Sequence, residues 1–122
     1  MKTRRQAIGT WGEGLAERYL LERGYQILGK NVRTPYGEID LIARLKDELV
    51  FVEVKTRTSQ SYGLPETAIT AKKQAHMIQA AQAYLQSNVE LGDCAWRIDV
   101  IAITKKPGIP SPEIICFENA LG

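Results

Sequence analysis

Two stretches with period-two alternation, residues 38–45 and 49–57, restrict this chain more than any other feature. In the first, Glu38, Asp40, Ile42 and Arg44 share one face, and Ile39, Leu41, Ala43 and Leu45 share the other. In the second, Val50, Val52 and Val54 fall on one face, while Leu49, Phe51, Glu53, Lys55 and Arg57 fall on the opposite one. Alternation of this kind marks half-buried strands. Only Lys46-Asp47 and its immediate neighbours separate the two, so a β-hairpin is expected.

The pairing register follows from the turn. If Lys46-Asp47 is a two-residue turn, paired residue numbers sum to 93, with Asp40 opposite Glu53 and Glu38 opposite Lys55. Directly opposed residues sit roughly 4.5–5.5 Å apart at Cβ. Two carboxylates that close repel unless a cation lies between them. Lys-Asp is not the Asn-Gly type of turn, so a slip is an open alternative; a bulge would restore the pairing.

Around the hairpin the chain reads as a single α/β domain spanning 1–122, without repeats or linkers. Residues 5–23 have helical spacing in Ile8, Trp11, Leu15 and Tyr19, with Ala16 and Leu20 widening the stripe and Gly24 as a stop. Glu13 falls beside that stripe and can reach inward, whereas Glu17 is expected to face water. Residues 25–32 form a first strand, closed by a Thr34-Pro35-Tyr36-Gly37 turn. A polar loop over 58–68 follows the hairpin. A second helix over 70–87 is expected to bury Ala71, Ala75, Ile78, Ala81 and Leu85, and to expose Lys72, His76, Gln79 and Gln86. Strands at 95–104 and 113–118 complete an α-β-β-β-α-β-β order, which suits either three layers or an open two-layer sheet.

A net charge of +2 permits a nucleic-acid partner without requiring one. Lys2, Arg4, Arg5, Lys72, Lys73, Lys105 and Lys106 form small clusters that folding can merge into a patch or leave as scattered solubilising charge. Cys94 and Cys116 lack metal-ligand spacing and read as ordinary reduced side chains. The basic N-terminus lacks the apolar run of a signal peptide, and no segment approaches the roughly 20 apolar residues that span a bilayer. The expectation is a cytoplasmic protein with no membrane partner. No glycine-rich phosphate loop is present, so no nucleotide cofactor is expected.

Hydrolysis of a phosphodiester needs a deprotonated water and a counter-charge for the phosphate and leaving oxygen. Mg²⁺ or Mn²⁺ serves both needs and prefers hard oxygen ligands. Asp40 and Glu53 offer two carboxylates, the Val54 carbonyl a third oxygen, and Glu13 a contact through water. A lysine beside acids is held in its charged form, so Lys55 suits electrostatics and positioning rather than proton abstraction. An acid-x-Lys triplet on a strand is by itself an ordinary solvated face. The joint presence of Asp40, Glu53, Lys55 and the helix acid Glu13 is much rarer.

Gly37-Glu38-Ile39-Asp40 followed by Glu53-Val54-Lys55 resembles the motif of the PD-(D/E)XK nuclease superfamily. Over nearly its whole length, including Gly12-Glu13-Gly14-Leu15-Ala16-Glu17 and Arg97-Ile98-Asp99-Val100, the chain is similar to the YraN-like bacterial family. That family resembles archaeal Holliday-junction resolvases and RecB-type nuclease domains. The resemblance implies a restriction-endonuclease-like α-β-β-β-α-β core with a mixed central sheet flanked by helices. It also implies metal ligation by Asp40 and Glu53, catalysis by Lys55, and a helix acid at Glu13. RecB-type nucleases carry Gln-x-x-x-Tyr on the helix after the core. Here Ala80 stands four residues before Tyr84, with Gln79 and Gln82 out of phase.

The functional expectation is therefore a Mg²⁺-dependent endonuclease acting on DNA, including branched or repair intermediates. The alternative is a non-catalytic DNA-binding or adaptor protein on the same fold. Junction substrates would favour a homodimer, because two strands must be cut symmetrically. Lys72, Lys73 and Arg57 are candidate phosphate contacts, and Tyr62 a candidate base-stacking residue. Arg97 with Asp99 reads as a structural ion pair, His76 as solvent-facing, and Trp11 and Trp96 as core.

Overall fold

The computed structural model describes residues 2–58 and 70–120. Its elements are α1 (Arg4–Glu22), β1 (Gln26–Thr34), β2 (Gly37–Leu45), β3 (Glu48–Thr58), α2 (Ala71–Ser87), β4 (Ala95–Lys105) and β5 (Glu113–Phe117), with a 3₁₀ turn at Val89–Leu91. One five-stranded sheet has the order β1-β2-β3-β4-β5. Only β3 and β4 run parallel; the other neighbours are antiparallel. A parallel neighbour cannot be reached by a tight turn, and α2 lies in the long connection that makes the crossover. The sheet is mixed, as expected. The anticipated polar loop falls almost entirely outside the described residues, and Tyr62 lies there too.

From Leu41 to Glu48 the hairpin has the register read from its alternation, but the expected pairs Asp40–Glu53 and Glu38–Lys55 do not form, because the strands part at Asp40. Leu45 pairs with Glu48 and Leu41 with Val52, across a turn whose first residue, Lys46, has φ 55°. Each face of the sheet is covered by a helix. On the α1 side, Leu41, Ala43, Val50, Val52, Ile101 and Ile103 pack with Ala16, Leu20 and Tyr25. On the α2 side, Ile42, Leu49, Phe51 and Ile98 pack with Ala80 and Ala81. Full burial of each such aliphatic or aromatic side chain contributes about 1.5–3 kcal/mol. Phe51 is held edge-on by both Tyr84 and Trp96, at centroid distances of 5.7 and 5.8 Å. Among the described residues no helix is long and apolar enough to cross a membrane.

Local chemistry explains the ends of α1. Thr3 accepts a hydrogen bond from the Gln6 backbone N–H, and the Gln6 side chain accepts from the Thr3 N–H, forming a capping box. Beyond Glu22, Gly24 takes φ 87° and turns the chain into β1.

Four expectations are corrected. The buried line of α1 is Gly12, Ala16 and Leu20, whereas Trp11 is 36% exposed. The reason is close approach to β3: a Cβ on Gly12 would lie 1.9 Å from Thr56 Oγ1, so the helix rests on its smallest residues. The buried face of α2 keeps Ile78, Ala81 and Leu85 of the expected stripe and departs from it in the first turns. Ala80 and Ala81 are its buried residues, with Met77, Ile78, Tyr84 and Leu85 packed alongside, while Ala71 and Ala75 are exposed. Glu17 is half-buried and pairs with Lys30 at 2.9 Å. Finally, Ile39 packs on the α2 side with Ile42 and not with Leu41. Alternation is interrupted at Asp40, which falls between the pairs Lys30–Leu41 and Val32–Ile39, across from Asn31 with its left-handed φ of 49°.

Candidate metal centre

The same interruption builds the site. The β2–β3 ladder ends at Leu41–Val52, whereas β3 stays paired with β4 as far as Thr58–Lys105. Beyond that point Asp40 replaces a strand partner: its Oδ2 accepts a hydrogen bond from the Val54 N–H at 2.8 Å. A carboxylate thereby sits where two strands separate, directed by the backbone of the next strand. Glu53, 8% exposed, precedes Val54 and lies close enough to hydrogen-bond Asp40.

The acids at this end are crowded. Burial and then the Glu53 charge push the Asp40 carboxyl up to about 7, and Glu13 adds to the shift while the Val54 N–H opposes it. Glu13, presented by α1, is also raised, chiefly by burial and then by Glu38 and Glu53, against an opposing hydrogen bond from Asn31. With its amide nitrogen toward the acids, Asn31 donates to Glu38 Oε1 at 3.1 Å and to Glu13 Oε1 at 3.2 Å. Its left-handed backbone, which asparagine tolerates better than most residues, belongs to the same irregularity that admits Asp40.

Two cations meet the outer carboxylate. Lys55 Nζ lies 3.5 Å and Lys73 Nζ 3.3 Å from Glu53 Oε1. A cleft of about 160 Å³ opens beside them between the hairpin and α2, lined by Tyr36, Glu38, Phe51, Glu53, Lys73 and His76 among others. Lys73 and His76 border the cleft from α2, and both are exposed, as the periodicity of the helix expected of His76.

The structure thus draws Glu13, Asp40, Glu53, Val54, Lys55 and Lys73 together. Arg57 lies partly buried two residues beyond Lys55 on β3, Lys72 is exposed beside Lys73, and Tyr62 is outside the described residues. Sequence reasoning passed over Asn31. Its one legible signal was an asparagine inside an otherwise extended run, the residue type most ready to adopt positive φ.

The donor set suits a hard divalent ion. Among the described residues no three His, Cys, Asp or Glu side chains form a ready-made ligand group. Mg²⁺ keeps several waters and is commonly bound through one or two carboxylates. Asp40 and Glu53 meet that requirement, with the Val54 carbonyl and Glu13 available near them, and the uncompensated charge at Asp40 is what a cation would relieve.

Residues 12–103 match the family model described as "Uncharacterised protein family UPF0102". A UPF0102 protein of Syntrophotalea carbinolica is 45% identical over 106 residues, covering 87% of this chain and 85% of that protein. One from Dehalococcoides mccartyi is 38% identical over 122 residues, covering 100% and 98%. One from Alkaliphilus oremlandii is 50% identical over 98 residues, covering 79% and 83%. Among solved structures, Pyrococcus furiosus SfsA in complex with Ca²⁺ aligns with TM-score 0.39 and 17% identity. The alignment covers 93% of this chain and only 63% of that one, a likeness too slight to bear on fold or function. The matched stretch opens at Gly12, which seats α1 on β3, and takes in every member of the acid cluster. The chain belongs to the UPF0102, or YraN-like, family of the PD-(D/E)XK-like nuclease superfamily.

Proposed function

We propose that this protein is a Mg²⁺- or Mn²⁺-dependent endonuclease acting on DNA. One observation carries the reading: Asp40 and Glu53 are held in contact at a strand divergence, with Asp40 directed by the Val54 N–H and two lysines on Glu53. Stability alone does not favour that arrangement, because two half-buried or buried carboxyls in contact repel when both are charged.

Asp40 and Glu53 would hold the metal, with the Val54 carbonyl as a further oxygen and Glu13 acting through water. When bound, the ion supplies acidification of a water and polarisation of the phosphoryl oxygens. The Val54 N–H fixes the direction of Asp40. Lys73 and Lys55 anchor Glu53, and Lys55 offsets charge that develops on the phosphate and positions the attacking water. Lys72 and Arg57 would meet flanking phosphates. The resemblance read from Gly37-Glu38-Ile39-Asp40 and Glu53-Val54-Lys55 makes branched or repair intermediates, cut by a two-fold dimer, the substrates to test first.

The test is cleavage of labelled duplex, single-strand, flap and four-way-junction DNA with Mg²⁺ or Mn²⁺, beside Asp40→Asn and Lys55→Ala. Wild-type cutting that both variants lose by about 100-fold or more supports the reading. No cutting of any substrate, with DNA binding unchanged in Asp40→Asn and indifferent to metal, replaces it with a DNA-binding adaptor on the same fold.

A further inference from the structure

Basic residues at the start of α1 and the end of β4 take no part in the acid cluster, yet the fold brings them together. The first turns of α1 and the β4–β5 connection enclose a groove of about 770 Å³ whose walls include Arg4, Ile8, Trp11, Lys105, Lys106 and Ile109. Among the described residues no Asp or Glu lines it. Trp11 is 36% and Ile109 52% exposed, and Lys105 Nζ stands 5.9 Å from the centroid of the Trp11 ring.

Single exposed apolar residues are ordinary. An open indole in a concave, acid-free surface ringed by cations is a narrower combination, and it is the composition of a stacking platform for single-stranded nucleic acid. The cations do not serve the helix. Arg4 and Arg5 occupy the first turn of α1, where no acid is present and positive charge opposes the helix dipole. Lys106 has Glu113 at 3.7 Å, but both are about half exposed and such a pair holds the lysine weakly.

The groove and the acid cluster lie on opposite flanks of the same turn of α1, since helix residues two apart do not face each other. Trp11 stands two residues before Glu13, Gly12 between them rests on Thr56, and Lys105 is the β4 partner of Thr58, three residues beyond Lys55. From Arg4 to Glu13 the helix axis advances about 14 Å. A second copy of the chain is a poor occupant, because a two-fold contact here would set Arg4, Lys105 and Lys106 against their own images.

We infer that this groove holds a single-stranded segment of DNA, with a base stacked on Trp11 and phosphates met by Arg4, Lys105 and Lys106. A paired base is stacked between its neighbours and cannot offer its face to the indole, so the substrate carries an unpaired tail. The inference deepens the nuclease reading and rests on it only for the cutting; binding in the groove stands apart from it.

The experiment is fluorescence anisotropy with labelled oligothymidine and a duplex of equal length, in EDTA so that no metal-dependent cleavage intervenes. Wild type, Trp11→Ala, Trp11→Phe and Lys105→Ala are compared, with circular dichroism confirming each fold. Single strand is expected to bind more tightly than duplex. Trp11→Ala weakens it about 5- to 100-fold, and Trp11→Phe recovers most of the loss. Lys105→Ala lowers the slope of log affinity against log salt by about 0.7. In a Trp96→Phe background, oligothymidine quenches the remaining indole fluorescence; this and the Lys105→Ala slope decide the matter if Trp11→Ala fails to fold. Unchanged binding in Trp11→Ala, preference for duplex, absent quenching, tighter binding to phosphatidylglycerol vesicles, or a dimer that Trp11→Ala dissolves would each overturn the inference. Trp11-dependent binding without cutting of any DNA removes the nuclease reading and keeps this one. Cutting indifferent to Trp11 does the reverse.

Discussion

Two aspartates point into the protein from neighbouring parts of one sheet, and their surroundings are opposite. Asp99 is fully buried and fully answered: it accepts from Arg97 Nε at 3.0 Å, from Arg97 Nη2 at 3.3 Å and from the Asn119 N–H at 2.8 Å. Arg97 in turn reaches Glu48 at 2.6 Å and the Tyr25 hydroxyl at 3.0 Å. Burial works against the Arg97 charge, but the hydrogen bonds and charge of Asp99, aided by Tyr25 and Glu48, hold its pKa above the ordinary value. Asp40 is half-buried and faces Glu53 and Glu13, while both nearby lysines bind Glu53. The guanidinium fork closes the Asp99 network, as Arg pairing with a carboxylate in two places tends to do. The Asp40 end retains surplus negative charge. One aspartate locks β4 to its neighbours; the other is left facing two further acids.

The contrast can be broken most forcefully at Arg97. Arg97→Ala strands a buried carboxylate and is expected to cost about 3–5 kcal/mol, read from urea denaturation midpoints. A loss under 1 kcal/mol would mean the Asp99 network is not a lock. Gly12→Ala comes next, at about 1–3 kcal/mol for overpacking. The added methyl meets Thr56 Oγ1 and displaces α1 with Glu13, so cleavage should fall by more than the unfolded fraction explains. Equal losses in stability and activity would separate Glu13 from the site.

The Asp40 end carries a pH signature. The unfolded chain releases this proton near the ordinary 3.8, whereas the fold retains it to about 7. Between those values the folded state binds more protons, so the Asp40 contribution is present below pH 4 and is lost as pH rises toward and through 7. Thermal unfolding in EDTA should show that loss in the wild type and a flatter profile in Asp40→Asn. Saturating Mg²⁺ or Mn²⁺ at pH 8 should restore about 2.7 kcal/mol at one hundred times the dissociation constant, and nothing in the variant. A wild-type profile as flat as that of Asp40→Asn would remove the contrast between the two aspartates. The smallest effect belongs to Lys73→Ala. Its ion pair is partly exposed, so the change should stay within about 1 kcal/mol, with a double-mutant cycle against Glu53→Gln isolating the pair.

Much of this was legible in the sequence because alternation and turn length are local. The hairpin register, the α-β-β-β-α-β-β order, Gly24 as the helix stop and the nearness of Asp40 to Glu53 all follow from residues close in the chain. The two cysteines also read correctly as unpaired: Cys116 packs with the α1 side of the sheet and Cys94 with the α2 side. The exposure of Trp11, the exposure of Ala71 and Ala75 in the first turns of α2 and the switch of Ile39 were not legible. Periodicity says which residues share a face, whereas the neighbouring element decides which face is covered. α1 could approach β3 only along Gly12, Ala16 and Leu20, and that choice left Trp11 outside.

By itself, then, the sequence determined the strands, the helices and the hairpin register that brings two acids near each other, since each depends on spacing within one segment. Only the tertiary structure decided that β2 and β3 part at Asp40, that Asn31 bends to bridge Glu13 and Glu38, and that Lys73 turns toward Glu53. It also set Trp11 beside Lys105. Those outcomes depend on how closely two helices and a sheet can approach one another, a steric and electrostatic settlement among residues far apart in the chain.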